Sequence, residues 1–197
     1  IIYLSDNGTP DWGVTDPLDE DRSKGTVYEG GVHVPFVVVG PSVSEPGSSS
    51  DALVHFVDIF PTLAEIADVD LTALRRTDKD GDVVPLLPVL DGHSVLPNVM
   101  DPAAAGSRDV VFTEGFKPSG AGPYSWRRRT VRDDRWKYTR LVSDDDGTRE
   151  GLYRIDPDAW DEGANLMHTD RGAAADDALE RLRASMDDMD ERLSFAW

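Results

Sequence analysis

The first forty-one residues constrain the fold more than any other stretch of the chain. A short apolar strand at residues 1–4 runs directly into the tetrapeptide Ser-Asp-Asn-Gly at residues 5–8, and a second apolar strand at residues 36–39 ends in Gly-Pro. Between the two strands lie an acidic loop, Lys24 and a Gly-Gly turn. Because open α/β sheets bind ligands at the carboxyl ends of their strands, we expect the polar tip at residues 5–8 to border a ligand site.

The residue types at this tip suit a hard cation and an anion. Asp6 carries a carboxylate and Asn7 an amide oxygen, and calcium and magnesium prefer such oxygen ligands. Both side chains can reach one ion only where the strand has ended, and Gly8 permits that break because glycine adopts backbone angles closed to other residues. Lys24 adds a compact positive charge that can hold an oxyanion. The same residues are also compatible with an ordinary turn.

The order of these pieces resembles a known family. The tetrapeptide, the segment Lys-Gly-x-x-x-Glu-Gly-Gly-x-x-Val-Pro at residues 24–35 and the strand ending in Gly-Pro resemble the sulfatase family of the alkaline-phosphatase-like superfamily. The resemblance implies that Asp6 and Asn7 ligate a divalent cation, Ca²⁺ with Mg²⁺ or Mn²⁺ as alternatives. It also implies that Lys24 is catalytic and contacts the sulfate. The family commonly has Arg where this chain has His33, which makes His33 a further candidate for substrate binding, with a charge set by its surroundings.

The resemblance continues downstream and covers nearly the whole chain. It includes Val-Asp-x-x-Pro-Thr-Leu at residues 57–63, Val-Arg-x-x-x-x-Lys-Tyr at 131–138, and Gly-Leu-Tyr at 151–153 with Asp-Pro-Asp at 156–158. It implies an α/β fold. Residues 1–100 would form the C-terminal portion of the sulfatase catalytic domain, and residues 107–197 a small antiparallel sheet with a C-terminal helix.

Periodicity supports the second of these parts. Short strand patterns at residues 110–114, 127–132, 136–141 and 152–155 favour an antiparallel sheet. Apolar residues at three- and four-residue steps predict a helix over residues 173–193 with one apolar seam. That seam comprises Leu179, Leu182, Met186, Met189 and Leu193. A second helix is predicted near residues 56–67, with an apolar face that comprises Phe56, Ile59, Phe60, Leu63, Ile66 and Ala67.

Two side chains in the first part are open to more than one interpretation, and a third has a structural role. Glu29 could pair with a cation or ligate metal, but we favour a structural role in which it accepts hydrogen bonds from the amides around residues 30–31. Trp12 would either stack on a substrate ring or anchor its loop to the body of the domain. Asp58 is placed to cap the helix that follows it.

The chain lacks part of what the resemblance requires. The family's nucleophile is a formylglycine made from Cys or Ser in a Cys/Ser-x-Pro-x-Arg motif, and neither that motif nor any Cys occurs among the 197 residues. Because the chain opens inside a strand, we expect it to be a fragment whose missing N-terminal half carries the nucleophile and two further metal ligands. We therefore expect the isolated chain to be inactive.

The charge balance excludes some partners. The chain has 38 acidic and 20 basic residues and a net charge of -18, which repels nucleic acid and anionic membranes. It has no apolar run long enough for a membrane span. An anionic substrate therefore needs local cations, namely Lys24, the bound metal and either Arg22 or His33.

The function predicted from the sequence is hydrolysis of a sulfuric ester by an arylsulfatase-like enzyme acting on a small sulfate ester or a sulfated sugar. Two alternatives remain open. One is a phosphodiesterase or phosphonate monoester hydrolase of the same superfamily, and the other is a non-catalytic structural or binding remnant.

Overall fold

The computed structural model describes residues 1–16, 19–87, 90–155 and 162–194. The strands are β1 (Ile2–Leu4), β2 (Phe36–Val38), β3 (Arg75–Thr77), β4 (Val83–Pro85), β5 (Val111–Lys117), β6 (Trp126–Arg132), β7 (Trp136–Ser143) and β8 (Gly147–Arg154). The helices are α1 (Glu29–Val32), α2 (Ile59–Ile66), α3 (Leu96–Met100) and α4 (Ala173–Ser194). Within the described ranges no helix combines the length and the apolar character that crossing a bilayer requires.

The chain divides into two compact units. One comprises Ile1–Ile2 and Val38–Asp109, and the other comprises Tyr3–Val37 and Val110–Trp197. The sequence-based division into residues 1–100 and 107–197 stays a prediction. All the candidate site residues of the opening segment belong to the second unit, together with the C-terminal sheet.

The second unit contains a four-stranded antiparallel sheet in the order β5-β6-β7-β8. Its central strands place Val131 opposite Tyr138 and Tyr138 opposite Leu152, so the three side chains share one face. The turn between β6 and β7 is held by Asp133, whose Oδ1 accepts the amides of Arg135 at 2.8 Å and Trp136 at 2.6 Å. The predicted antiparallel sheet is confirmed.

Helix α4 covers this face and completes the core. Leu179, Leu182 and Met186 are 5%, 0% and 0% exposed and pack in one cluster with the buried sheet residues. The predicted seam is therefore confirmed for these residues, while the side chain of Leu193 lies outside the described part of the chain. Residues 156–158 of the downstream motif also lie outside it.

In the first unit the buried carboxylate of Asp58 joins three segments of the chain through hydrogen bonds. It accepts the amide of His55 at 2.7 Å and the amide of His93 at 2.9 Å, and Arg108 donates to both of its oxygens. Asp58 therefore closes the turn at Phe56–Asp58 and does not cap the first amides of α2 with its side chain. The structural role predicted for Asp58 is therefore retained. Its side-chain hydrogen bonds, however, hold the turn that precedes α2 and not the first turn of α2 itself.

The apolar face predicted for α2 is on the surface of the described structure. Phe56 is 64% exposed, and Phe60, Leu63 and Ile66 are each about half exposed. The buried side of α2 is formed by Pro61, Thr62 and Ala64 instead. Periodicity identified which residues share a face, but it could not tell which face the rest of the chain covers.

The packing of α4 predicts how the core responds to truncation. We expect Leu182→Ala to lower the free energy of unfolding by about 2–5 kcal/mol, because it removes buried methyl groups and leaves a cavity. The matched control is Leu63→Ala, the same change at a side chain that is 49% exposed. Urea denaturation followed by circular dichroism measures both, and an equal loss in the two variants would contradict the core assignment.

Candidate functional site

Three glycines bring the segments of the candidate site together. The amide of Gly8 donates to the carbonyl of Gly31 at 2.9 Å, so the polar tip rests on α1. A Cβ on Gly8 would lie 1.9 Å from the oxygen of Gly30. A Cβ on Gly30 would lie 2.7 Å from the oxygen of Arg22, and one on Gly31 would lie 2.6 Å from that of Ser23. Backbone therefore packs on backbone through three layers: the tip, α1 and residues 22–26.

The role of Gly8 differs from the one predicted. The backbone of Gly8 does not have a positive φ, so the position does not require the left-handed conformation. It requires glycine because any side chain would collide with the carbonyl of Gly30. The three glycines in the sequence indicate that backbone segments approach closely at these positions. They do not reveal which segments meet.

Lys24 lies beside the polar tip. Its amide donates to the carbonyl of Thr9 at 2.9 Å, which ties the loop that carries the cation to the segment that follows Asn7. The side chains of Lys24 and Asp6 are exposed, and Asn7 is partly buried. Asp6, Asn7 and Lys24 are thus held in one region of the second unit by main-chain contacts.

The electrostatics of Asp6 agree with this placement. A hydrogen bond from the side chain of Asn7 is the main cause that lowers the pKa of Asp6, and the charge of Lys24 acts in the same direction. Desolvation opposes both effects. Asp6 is therefore an ionised carboxylate at neutral pH, with an ammonium group within electrostatic reach.

The donor types fit a hard divalent cation, but only in part. Asp6 offers carboxylate oxygens and Asn7 an amide oxygen, whereas calcium takes six to eight oxygen ligands. Among the described residues there is no group of three or more His, Cys, Asp or Glu arranged to hold a metal. These residues can therefore supply two ligands, and the others must come from water, substrate or protein groups beyond this pair.

Lys24 also lines an open cleft of about 380 Å³, whose other lining residues are Pro10, Asp11, Glu20, Asp21, Ser23 and Thr26. Trp12, next to this lining, is 85% exposed. It does not anchor the loop to the body of the unit, so that interpretation is wrong. Stacking of Trp12 on a substrate ring stays a prediction.

Glu29 is a buried acidic side chain in the second unit, near the segment that carries Lys24. It is 3% exposed, and its Oε1 accepts from Lys137 Nζ at 2.9 Å. Its Oε2 contacts Arg132 Nη1, and His33 Nδ1 lies 3.2 Å from the same oxygen. The structural role predicted for Glu29 is retained, but its partners are the side chains of Lys137, Arg132 and His33 and not the amides of residues 30–31. His33, a candidate for substrate binding, is half exposed and directed at Glu29.

A second buried carboxylate completes this cluster. Glu162 is 2% exposed, and its Oε1 accepts from Lys137 Nζ at 2.7 Å and from the amide of Glu29 at 2.7 Å. Burial raises the pKa of Glu162, with Lys137 opposing the shift. Burial also disfavours the ionised form of Glu29, but the hydrogen bond with His33 and the charges of Lys137 and Arg132 outweigh it and lower the pKa of Glu29 to about 2.

Comparison with known proteins gives consistent results. Residues 1–69 match the family model described as Sulfatase. An ulvan-active sulfatase from Formosa agariphila is 34% identical over 142 residues, which cover 70% of this chain and 24% of that protein. This chain therefore spans about a quarter of the length of that relative.

Solved structures share the fold. A protein in complex with its substrate D-glucosamine-2-N,6-O-disulfate has a TM-score of 0.66 at 18% identity, covering 96% of this chain and 33% of that one. A phosphonate monoester hydrolase from Silicibacter pomeroyi has a TM-score of 0.60 at 23% identity, covering 86% of this chain and 31% of that one. At these identities the likeness shows the fold alone, and it confirms the expected α/β fold class.

The glycine packing predicts a sharp difference between two Gly→Ala variants. We expect Gly8→Ala to lower the free energy of unfolding by about 1–3 kcal/mol or more, because the new methyl group meets main-chain atoms that cannot rotate away. The control is Gly40→Ala, where an added Cβ has no atom within 4 Å. Chemical denaturation compares the two, and a Gly8→Ala protein as stable as Gly40→Ala would refute the contact.

The low pKa of Glu29 predicts a pH dependence of stability. The pKa of Glu29 is about 2 in the folded protein, against an ordinary value of 4.5. The stabilisation from the ionised carboxylate is therefore fully present above about pH 4.5 and is lost as the pH falls towards 2. Relative to Glu29→Gln, the native protein should lose on the order of 3 kcal/mol across this window.

Urea unfolding at several pH values measures this difference. Glu65→Gln is the matched control, since Glu65 is exposed and its substitution should leave the pH profile unchanged. Parallel profiles for the native protein and Glu29→Gln between pH 5 and pH 2.5 would show that the cluster does not favour the ionised form of Glu29.

Proposed function

Because the chain belongs to the sulfatase family, we propose that it forms the C-terminal part of a sulfuric ester hydrolase. Enzymes of this family generally use a formylglycine nucleophile and a divalent metal. The nucleophile motif does not occur in this chain, so the proposed enzyme requires protein sequence beyond these 197 residues.

The proposed roles follow from the chemistry of each side chain. Asp6 and Asn7 would contribute oxygen ligands to the cation, for which we propose Ca²⁺, with Mg²⁺ or Mn²⁺ as alternatives. A bound divalent cation supplies Lewis acidity and orients the sulfate. Lys24 would bind a sulfate oxygen and stabilise the negative charge that develops as the ester bond to sulfur breaks.

The observation that carries this proposal is the position of Lys24. The amide of Lys24 donates to the carbonyl of Thr9 at 2.9 Å, which holds Lys24 next to the segment that carries Asp6 and Asn7. The charge of Lys24 also contributes to lowering the pKa of Asp6. A metal site without a neighbouring cation would be compatible with many functions. The combination of two oxygen ligands and a lysine favours a substrate that carries a tetrahedral oxyanion.

For the substrate we propose a sulfated sugar or another small sulfate ester. Support comes from relatives: one is described as ulvan-active, and a solved neighbour binds D-glucosamine-2-N,6-O-disulfate as its substrate. The likeness to a phosphonate monoester hydrolase favours a second candidate function, hydrolysis of phosphonate monoesters by the same set of residues. Comparing kcat/KM for 4-nitrophenyl sulfate and a phenylphosphonate monoester distinguishes the two.

The role of Lys24 can be tested in the full-length protein carrying its formylglycine. We expect Lys24→Ala to lower kcat/KM for 4-nitrophenyl sulfate by about 10²–10³-fold, because a charge-stabilising donor is lost. Lys79→Ala, at an exposed lysine of the turn between β3 and β4, is the control. Unchanged activity in Lys24→Ala would exclude the proposed role, and an inactive native protein would favour the non-catalytic alternative.

The metal ligands can be tested separately. Chelation with EDTA should abolish activity, and added Ca²⁺ should restore it. In Asp6→Asn the Ca²⁺ concentration for half-maximal activity should rise at least about tenfold, because a charged ligand is lost while the shape is kept. Asp51→Asn, at an exposed acid outside the opening segment, serves as control. Equal Ca²⁺ requirements in the two variants would contradict the assignment of Asp6.

A further inference from the structure

The ammonium group of Lys137 is buried where the packing of the sheet does not require a charge. Lys137 is 1% exposed and lies in β7 next to the core residue Tyr138. Replacing a buried ion pair by apolar residues of similar size is often neutral or stabilising, so a buried lysine is poorly explained by stability alone. Within the sheet, the side chain of Lys137 fills space, and an apolar side chain of similar size would fill it equally well.

The two bonds of Lys137 lead to helix α1. Its Nζ bridges Glu29 Oε1 at 2.9 Å and Glu162 Oε1 at 2.7 Å, and the same oxygen of Glu162 accepts the amide of Glu29 at 2.7 Å. Both the side chain and the main chain of Glu29 are therefore held. Arg132, in the neighbouring strand β6, contacts the second oxygen of Glu29.

Helix α1 is too short to be stable without contacts from other parts of the chain. It spans only Glu29–Val32, a single turn, and the first turn of a helix is unfavourable without outside contacts. The bonds to Glu29, its first residue, are such contacts. The orientation of α1 therefore depends on the side chains of Lys137 and Arg132 from the C-terminal sheet and on Glu162.

Both halves of the candidate site rest on α1. On one side, Gly8 donates to Gly31 and packs against Gly30, which places the tip that carries Asp6 and Asn7. On the other side, residues 22–26, which carry Lys24, touch the same two glycines at main-chain atoms. A shift of α1 would move the oxygen ligands and the cation together or separate them.

We infer that Lys137 is a positioning residue: by bridging Glu29 and Glu162 it holds α1, on which Asp6, Asn7 and Lys24 are arranged. The C-terminal sheet thus contributes to the arrangement of the site through Lys137. The motif at residues 131–138 supplies both Arg132 and Lys137, and the motif at residues 24–35 supplies Glu29, so the contact joins two segments that sequence reasoning singled out separately. The bridge between Lys137, Glu29 and Glu162 is argued from the contacts alone. Its effect on catalysis rests on the proposed function.

Hydrogen exchange tests the structural part without reference to activity. In Lys137→Met the amides of Gly8 and Lys24, which donate to Gly31 and Thr9, should exchange at least about tenfold faster than in the unmodified full-length protein. The amide of Leu182, inside α4, should change by a smaller factor. A merely structural role would accelerate exchange at Leu182 as much as at Gly8, and that result would overturn the proposal.

Three further variants keep the test decisive. Lys137→Arg should restore most of the protection at Gly8, since it retains the charge between the two carboxylates. Lys117→Met, the same truncation at an exposed lysine of β5, should change neither amide. If Lys137→Met does not fold, Glu162→Leu removes the oxygen that accepts both Lys137 Nζ and the amide of Glu29. Protection at Gly8 and Lys24 that persists in Glu162→Leu would refute the bridging role.

Kinetics test the catalytic consequence. With 4-nitrophenyl sulfate, Lys137→Met should lower kcat by about tenfold or more with a smaller change in KM, because misplaced groups lose geometry needed for reaction. Lys137→Arg should recover activity in parallel with its exchange protection. Accelerated exchange at Gly8 with unchanged kcat would leave the bridge intact and refute its link to catalysis. Absence of activity in the unmodified protein would instead contradict the proposed function, while the exchange result still decides the bridge.

Discussion

The buried carboxylate of Glu29 is the contact on which the arrangement of the second unit's opening segment depends. One of its oxygens accepts a hydrogen bond from Lys137, and the other contacts Arg132 and His33. Glu29 is also the first residue of a helix that is too short to be stable alone. Desolvation of a carboxylate is unfavourable, and the hydrogen bond with His33 and the charges of Lys137 and Arg132 more than compensate for it. The glycine contacts that place Asp6 rest on the helix that Glu29 begins.

The same cluster explains how an acidic chain can present a cation to an anion. The net charge of -18 opposes the approach of any anionic substrate. Near the candidate site, however, Lys137 and Arg132 offset the two carboxylates of Glu29 and Glu162 within the interior. Lys24 is therefore not required to neutralise this buried pair, and its charge acts on Asp6 and on the open surface beside it.

Much of the fold followed from local patterns. The seam of α4 and the antiparallel order of β5 to β8 could be predicted, because side-chain periodicity and short turns are properties of neighbouring residues. The apolar face of α2 was identified as a face but not as an exposed one, since burial depends on what packs against it. Gly8 was identified as a required glycine for the wrong reason: the limiting factor is the carbonyl of Gly30 and not the backbone angle.

The sequence by itself determined which groups are candidates for the site: two side chains with oxygen donors, one lysine and the order of the motifs that resemble a sulfatase. Only the tertiary structure decided how those groups are held. Glu29 and Lys137 are 108 residues apart, and Glu29 and Glu162 are 133 apart. Contacts of that separation leave no trace in periodicity or spacing, because they arise when folding brings a strand of the C-terminal sheet against a one-turn helix near the other end of the chain.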